Sequence, residues 1–203
     1  MIRRMRAPAP QRPGRASAAT IVAALALAAG ASAATSPRPV VFRDPVDASV
    51  RAPDLVRVQL GIGSDGRVRA ALTLASGWVA HDLLASKGPP GSLCLRLWTK
   101  TAPGGAPPDY LACMTSKPDG ETMRGSVFQN RAGQRPLRVA DAEVGRTSAR
   151  TGTLRFALAA IGNPTAIHFA AEATKPGCAR VSCVDTAPNA PQTATLTLKE
   201  SAR

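Results

Sequence analysis

Between Leu55 and Leu74, in the stretch LVRVQLGIGSDGRVRAALTL, apolar and polar residues alternate with a period of two. Val56, Val58, Leu60 and Ile62 share one parity, and Arg57, Gln59 and Gly61 the other. After Ser64-Asp65-Gly66 the alternation resumes, with Val68, Ala70, Leu72 and Leu74 against Arg67, Arg69, Ala71 and Thr73. Period two on both sides of an Asp-Gly turn predicts an antiparallel hairpin with one buried and one wet face. Residues Gly61-Ile62-Gly63-Ser64-Asp65-Gly66 also spell the G-x-G-x-x-G dinucleotide fingerprint. That motif needs a buried parallel strand before it and a helix N-terminus after it. Arg57 and Gln59 leave the preceding strand wet on one face, and Arg67–Leu74 reads better as a second strand than as a helix. No nucleotide is expected.

The pattern repeats downstream. Leu93–Trp98 (LCLRLW) and Asp109–Met114 (DYLACM) flank a Pro/Gly-rich loop. With Cys94 opposite Cys113, Leu97 faces Tyr110, Leu95 faces Ala112 and Leu93 faces Met114, which makes one uniformly apolar face. On the other face Arg96 meets Leu111 and Trp98 meets Asp109. Both faces carry apolar residues, so the pair is expected inside a sheet and covered on both sides. Thr122–Phe128, Leu137–Val144, Thr153–Leu158, Ala166–Ala173 and Thr193–Lys199 supply further strands, whereas Gly77–Gly91 holds a helical turn at most. The expected fold is all-β: an antiparallel β-sandwich of about eight or nine strands, immunoglobulin-like or jelly-roll-like.

The N-terminus reads differently. Arg3, Arg4, Arg6, Arg12 and Arg15 precede the apolar run Thr20–Gly30, and Ala31-Ser32-Ala33 follows with small residues. Residues 1–33 thus read as a signal peptide. The run is shorter than the roughly 20 residues that span a bilayer, and a retained membrane anchor is the competing reading. Residues 34–53, punctuated by Pro and Arg, read as a linker or edge segment with Val40-Val41-Phe42 as its apolar knot. Residues 54–203 read as one domain, and the protein as secreted or extracytoplasmic. In such a compartment four cysteines point to disulfides rather than to metal or redox thiols. Three pairings are possible. The hairpin register favours Cys94–Cys113, and the Pro176-Gly177 and Pro188 boundaries of a tight loop favour Cys178–Cys183.

Charge adds a direction. The chain has 26 Lys and Arg against 13 Asp and Glu, net +13. Five of the arginines and none of the acids lie in residues 1–33, so the remainder carries +8. A basic exported domain suits an anionic polymer or envelope surface. Arginine as the default solvated residue of an Ala/Arg/Pro-rich chain is the plainer explanation.

Taken together, LCLRLW (93–98), YLAC (110–113), AIHFAAEA (166–173) and CARVSCVDTAP (178–188) resemble uncharacterised exported β-sandwich domains of high-GC bacteria. A more remote similarity is to DOMON-like and carbohydrate-binding sandwiches. The resemblance implies a sandwich fold and carries no assigned activity.

Candidate chemistry is sparse. His81 and His168 are the two histidines, without H-x-x-x-H or H-E-x-x-H spacing, so no metal or other cofactor is expected. His168, Asp185 and a serine can be written as a hydrolase triad, yet no G-x-S-x-G elbow marks a nucleophile. Asp141 and Glu143 sit beside Arg138 and Arg146, as a salt-bridged face would. A binding module needs less. Trp78 and Tyr110 can stack on sugar rings if exposed, and Arg131 and Arg135 can meet anionic groups. Trp98 is expected to be packed, with Arg96 laid against its ring. Nucleic acid is not expected, because the basic residues lack interleaved aromatics. The sequence therefore favours a non-catalytic binding module or envelope-associated protein, its ligand a carbohydrate or anionic polymer. The alternative is a small secreted hydrolase.

Overall fold

The computed structural model describes residues 37–48, 52–100, 103 and 106–198. Residues 1–33, expected from the sequence to be a signal peptide, lie outside them. Thr35–Arg203 forms one compact unit. Its first strands are β1 (Val40–Arg43), β2 (Leu55–Ile62) and β3 (Arg67–Leu74), paired antiparallel in that order. Within the expected linker-or-edge segment, Val40–Arg43 is a strand at one end of the sheet order. The turn between β2 and β3 is the expected hairpin. Gly66 takes φ +72 and donates its N–H to the Gly63 carbonyl at 2.9 Å. Only glycine adopts that backbone without penalty. No helix starts there, and the G-x-G-x-x-G residues are a strand end and a turn.

One detail of the alternation is corrected. Leu55 is paired with Leu74 and Arg57 with Thr73, so β2 carries one extra residue at this point. The bulge turns Leu55 fully into the core and leaves Val56 half-buried.

A short 3-10 turn at Ala80–Leu83 interrupts the loop before β4 (Ser92–Trp98). β5 (Tyr110–Ser116) pairs with β4 in the expected register, from Leu93 opposite Met114 to Leu97 opposite Tyr110. Cys94 and Cys113 are bridged with Cα atoms 4.0 Å apart, and Cys178 and Cys183 with Cα atoms 6.1 Å apart. Both expected disulfides are present. The remaining strands are β6 (Met123–Gln129), β7 (Leu137–Arg146), β8 (Thr151–Ala157), β9 (Ala166–Thr174), β10 (Val184–Ala187) and β11 (Ala194–Thr197).

Among the described residues eleven strands, rather than eight or nine, form one sheet in the order β1-β2-β3-β8-β7-β6-β5-β4-β9-β10, with β11 also on β9. β7 is the corner: Leu137–Ala142 pair with β6, and Glu143–Arg146 pair with β8. Beyond it the sheet curls until β11 meets β1 and β10 meets β2. The result is a nearly closed, barrel-like antiparallel sheet. Its interior holds Val58, Leu72, Leu95, Met114, Phe156 and Phe169, all fully buried. β10 is not legible as a strand in the sequence. It is four residues long, and one of its two inward positions is Asp185.

Candidate functional site

The four residues expected to bind ligand do not converge. Trp78 is a core residue: its Nε1 donates to the Arg150 carbonyl at 3.1 Å, and the Arg146 guanidinium covers the ring at 5.1 Å from its centroid. Room for it comes from Gly152, where a Cβ would approach the Trp78 Cζ2 within 2.8 Å. Tyr110 is buried on the apolar face of β5. Neither ring offers a face to a sugar. Arg131 and Arg135 are exposed in the β6–β7 loop, where the Arg131 Nη2 donates to the Arg135 carbonyl at 3.0 Å.

A triad from His168 and Asp185 is not formed either. His168 is on the outward parity of β9 and shares a 2.9 Å hydrogen bond with the Thr195 hydroxyl. Asp185 pairs with the inward Ala173 and is itself buried, so the two lie on opposite faces of the sheet. Among the described residues no three His, Cys, Asp or Glu side chains are grouped to hold a metal ion. Trp98 is packed as expected, with the Arg96 guanidinium 5.3 Å from its ring centroid and its Nε1 donating to the Ala106 carbonyl at 2.9 Å. Arg96 and Trp98 border a small hollow of about 170 Å³ beside Pro188 and Pro191.

The outward face of β1, β2, β3 and β8 is organised differently. Residues directly opposite one another across antiparallel strands share a face, and the registers set out three rows here. One row is Arg43, Arg57, Thr73 and Thr151. The next is Val41, Gln59, Ala71 and Thr153. The third is Gly61, Arg69, Arg155 and, on β7, Glu143. The middle row is short and nearly neutral, so a shallow trough runs across the strands between two arginine-bearing rows.

The two rows differ in how their charges are satisfied. In the third, Asp65 pairs with Arg155 and, at 3.4 Å, with Arg69, while Glu143 pairs with Arg67 and, at 2.9 Å, with Arg155. The Arg155 hydrogen bond holds the Asp65 carboxyl well below the usual range, and the Arg67 hydrogen bond lowers that of Glu143. In the first row Arg43 and Arg57 stand opposite each other, both exposed. Arg57 donates to the Gln59 side chain at 3.3 Å, and Arg150, from the turn before β8, donates to the Ala75 carbonyl at 3.3 Å. Among the described residues none of these three has a carboxylate partner. Arg43, Arg57 and Arg150 border a hollow of about 480 Å³ together with the hydroxyls of Thr73, Ser148 and Thr151. A second hollow of about 320 Å³, floored by Ala71 and Thr153, continues along the trough. Guanidinium forks beside hydroxyl donors suit carboxylate, sulfate or phosphate oxygens.

An acidic residue, Asp44, also borders the first hollow. Asp44 is buried with 9% exposure, and its Oδ2 has no hydrogen-bond partner; Oδ1 of Asp54 is likewise unpartnered. Burial, then the charges of Asp47, Asp185 and Asp54, push the Asp44 carboxyl up to about 6. Burial also raises Asp185, although its Oδ2 accepts the Leu55 N–H at 2.7 Å.

Arg43 and Arg57 are single arginines in separate stretches of the chain, and the sequence reading misses them for that reason. A signal does exist: both lie on the outward parity of their strands. No protein-family model, curated protein or solved structure matches this chain.

Proposed function

We propose that the protein is an exported, non-catalytic binding module that holds an anionic polymer of the cell envelope along the outward face of β1, β2, β3 and β8. One observation carries the reading: Arg43 and Arg57 face each other across two strands with no salt-bridge partner among the described residues, beside Arg150 and three hydroxyls. Like charges directly opposite on a sheet are destabilising, and a bound anion relieves that repulsion. The trough supports a polymer rather than a lone ion, since it continues past Gln59 and Thr153. Acidic polysaccharide fits both the arginines and the amide and hydroxyl groups along the floor. Two disulfides agree with an oxidising, extracytoplasmic setting. Among the described residues no helix is long and apolar enough to cross a membrane.

The test is titration of the chain beginning at Ala34 with dextran sulfate, polygalacturonate and neutral dextran over a salt series. The two acidic polymers should bind, more weakly as salt rises, and neutral dextran should not. Arg43→Ala with Arg57→Ala should weaken binding at least tenfold, while the same change at Arg131 and Arg135 should matter little. Equal binding of neutral dextran, or a preference for DNA over both acidic polysaccharides, would overturn the reading.

A further inference from the structure

We propose that anion capture in the Arg43–Arg57–Arg150 hollow is gated by a proton on Asp44, so that this face holds polyanions more tightly in mildly acidic medium than at neutral pH. The inference rests on the anion-binding reading above and adds its regulation.

The geometry starts from the end of β1. Asp44 follows Arg43 and extends the β1–β2 ladder by one bond, its N–H donating to the Val56 carbonyl at 3.1 Å. Consecutive strand residues point to opposite faces. Arg43 therefore lies outward, and Asp44 turns in beneath it, bordering the same hollow as Arg43, Arg57 and Arg150. A carboxylate in this place takes one unit of positive charge away from three arginines.

The surroundings of Asp44 make that charge costly. From the β1–β2 connection comes Asp47, from the start of β2 Asp54, and from β10 Asp185. β3 and β8 contribute the uncharged Thr73 and Thr151, and the turn before β8 contributes Arg150. Two of these acids have donors: Asp47 accepts from the Asn189 side chain at 2.8 Å and Asp185 from the Leu55 N–H at 2.7 Å. Asp54 keeps one bare oxygen and Asp44 its buried Oδ2. A buried carboxylate with one oxygen left bare, among like charges, takes up a proton more readily than a solvated one. With its carboxyl raised to about 6, Asp44 changes charge between neutral and mildly acidic pH. The coupling is reciprocal: protonation strengthens anion binding, and a bound anion raises the proton affinity of Asp44 by the same factor. The two histidines sit elsewhere. His81 lies against Gly120, and His168 bonds Thr195.

The experiment uses dextran sulfate, because its sulfates stay ionised throughout the range. The chain from Ala34 should bind it about three- to fivefold more tightly at about pH 5 than at about pH 7.5, the size expected of one unit charge near a protein–water boundary. Asp44→Asn should bind with the tight constant at both values, and Asp185→Asn should keep the ratio. Carboxyl-carbon NMR of the unmodified protein gives a second readout: the Asp44 midpoint should rise when the polymer is added. Binding with no pH ratio, a ratio that survives in Asp44→Asn, or an unmoved midpoint overturns the gate alone. No binding at either pH overturns the anion-binding reading and the gate with it.

Discussion

The Asp185 carboxylate accepts the backbone N–H of Leu55 at 2.7 Å, across 130 residues of chain. Leu55 sits at the bulge that opens β2, and Asp185 is an inward residue of β10. The bond ties the two strands at which the curled sheet approaches closure. Replacing Asp185 with Ala strands a buried N–H. The expected cost is about 1–3 kcal/mol in urea unfolding, and Asp185→Asn, which keeps an acceptor and sheds a buried charge, should lose less. Equal losses in the two variants would show that the bond itself contributes nothing.

Stability should peak in mild acid. A carboxyl raised in the folded state is a stabilising influence when protonated, fully present below its unfolded value and lost as pH climbs through the folded one. For Asp44 that window runs from about 4 to about 6, and each tenfold difference in proton affinity corresponds to about 1.4 kcal/mol. Asp65, Asp119 and Glu143 act with the opposite sign. Arg155, the Thr122 N–H and Arg67 respectively lower them, so their contribution disappears as pH falls below the ordinary carboxylate range. Thermal melts should therefore be highest between about pH 4 and 6. Asp44→Asn should raise stability at pH 7.5 by about 1–3 kcal/mol and flatten the decline above about pH 6. A variant that melts lower than the unmodified chain at pH 7.5 would contradict this.

The disulfides should differ in weight. Cys94–Cys113 closes a loop with a sequence separation of 19, and Cys178–Cys183 one of 5. Chain-entropy reasoning assigns about 3 kcal/mol to the first and about 2 to the second. Paired Cys→Ala variants, compared by chemical denaturation, should rank in that order. A larger loss from the Cys178–Cys183 pair would mean that the short bridge braces more than its own loop.

Gly152→Ala should be costly although Gly152 lies in a regular strand. The added methyl would stand 2.7 Å from the Met114 sulfur and 2.8 Å from the Trp78 ring. Overpacking of this kind costs about 1–3 kcal/mol. Near-ultraviolet circular dichroism should also change as the indole shifts. A neutral substitution with an unchanged indole signal would remove Gly152 as the reason Trp78 can be buried.

Local alternation determined most of the strands. Val58 and Leu60 are inward and Arg57 and Gln59 outward because a pleated strand shows successive side chains to opposite faces, and only a few residues are needed to see it. The β4–β5 register was legible for the same reason, since Cys94 opposite Cys113 sorts the neighbouring side chains at once. The order of the strands was not contained in the sequence pattern. β3 lies beside β8, some eighty residues away, and only that adjacency brings Thr151 and Arg150 to the row of Arg43 and Arg57. Trp78 looked free because it stands in an irregular segment, and the space left by Gly152 decided otherwise. Nothing in the pattern marks Asp44 or Asp185 for burial, which follows from a sheet that curls until β10 reaches β2. The side-chain period is a property of a few consecutive bonds, so sequence alone determined the faces. Which faces meet depends on pairings that close long loops, and only the tertiary structure decided them.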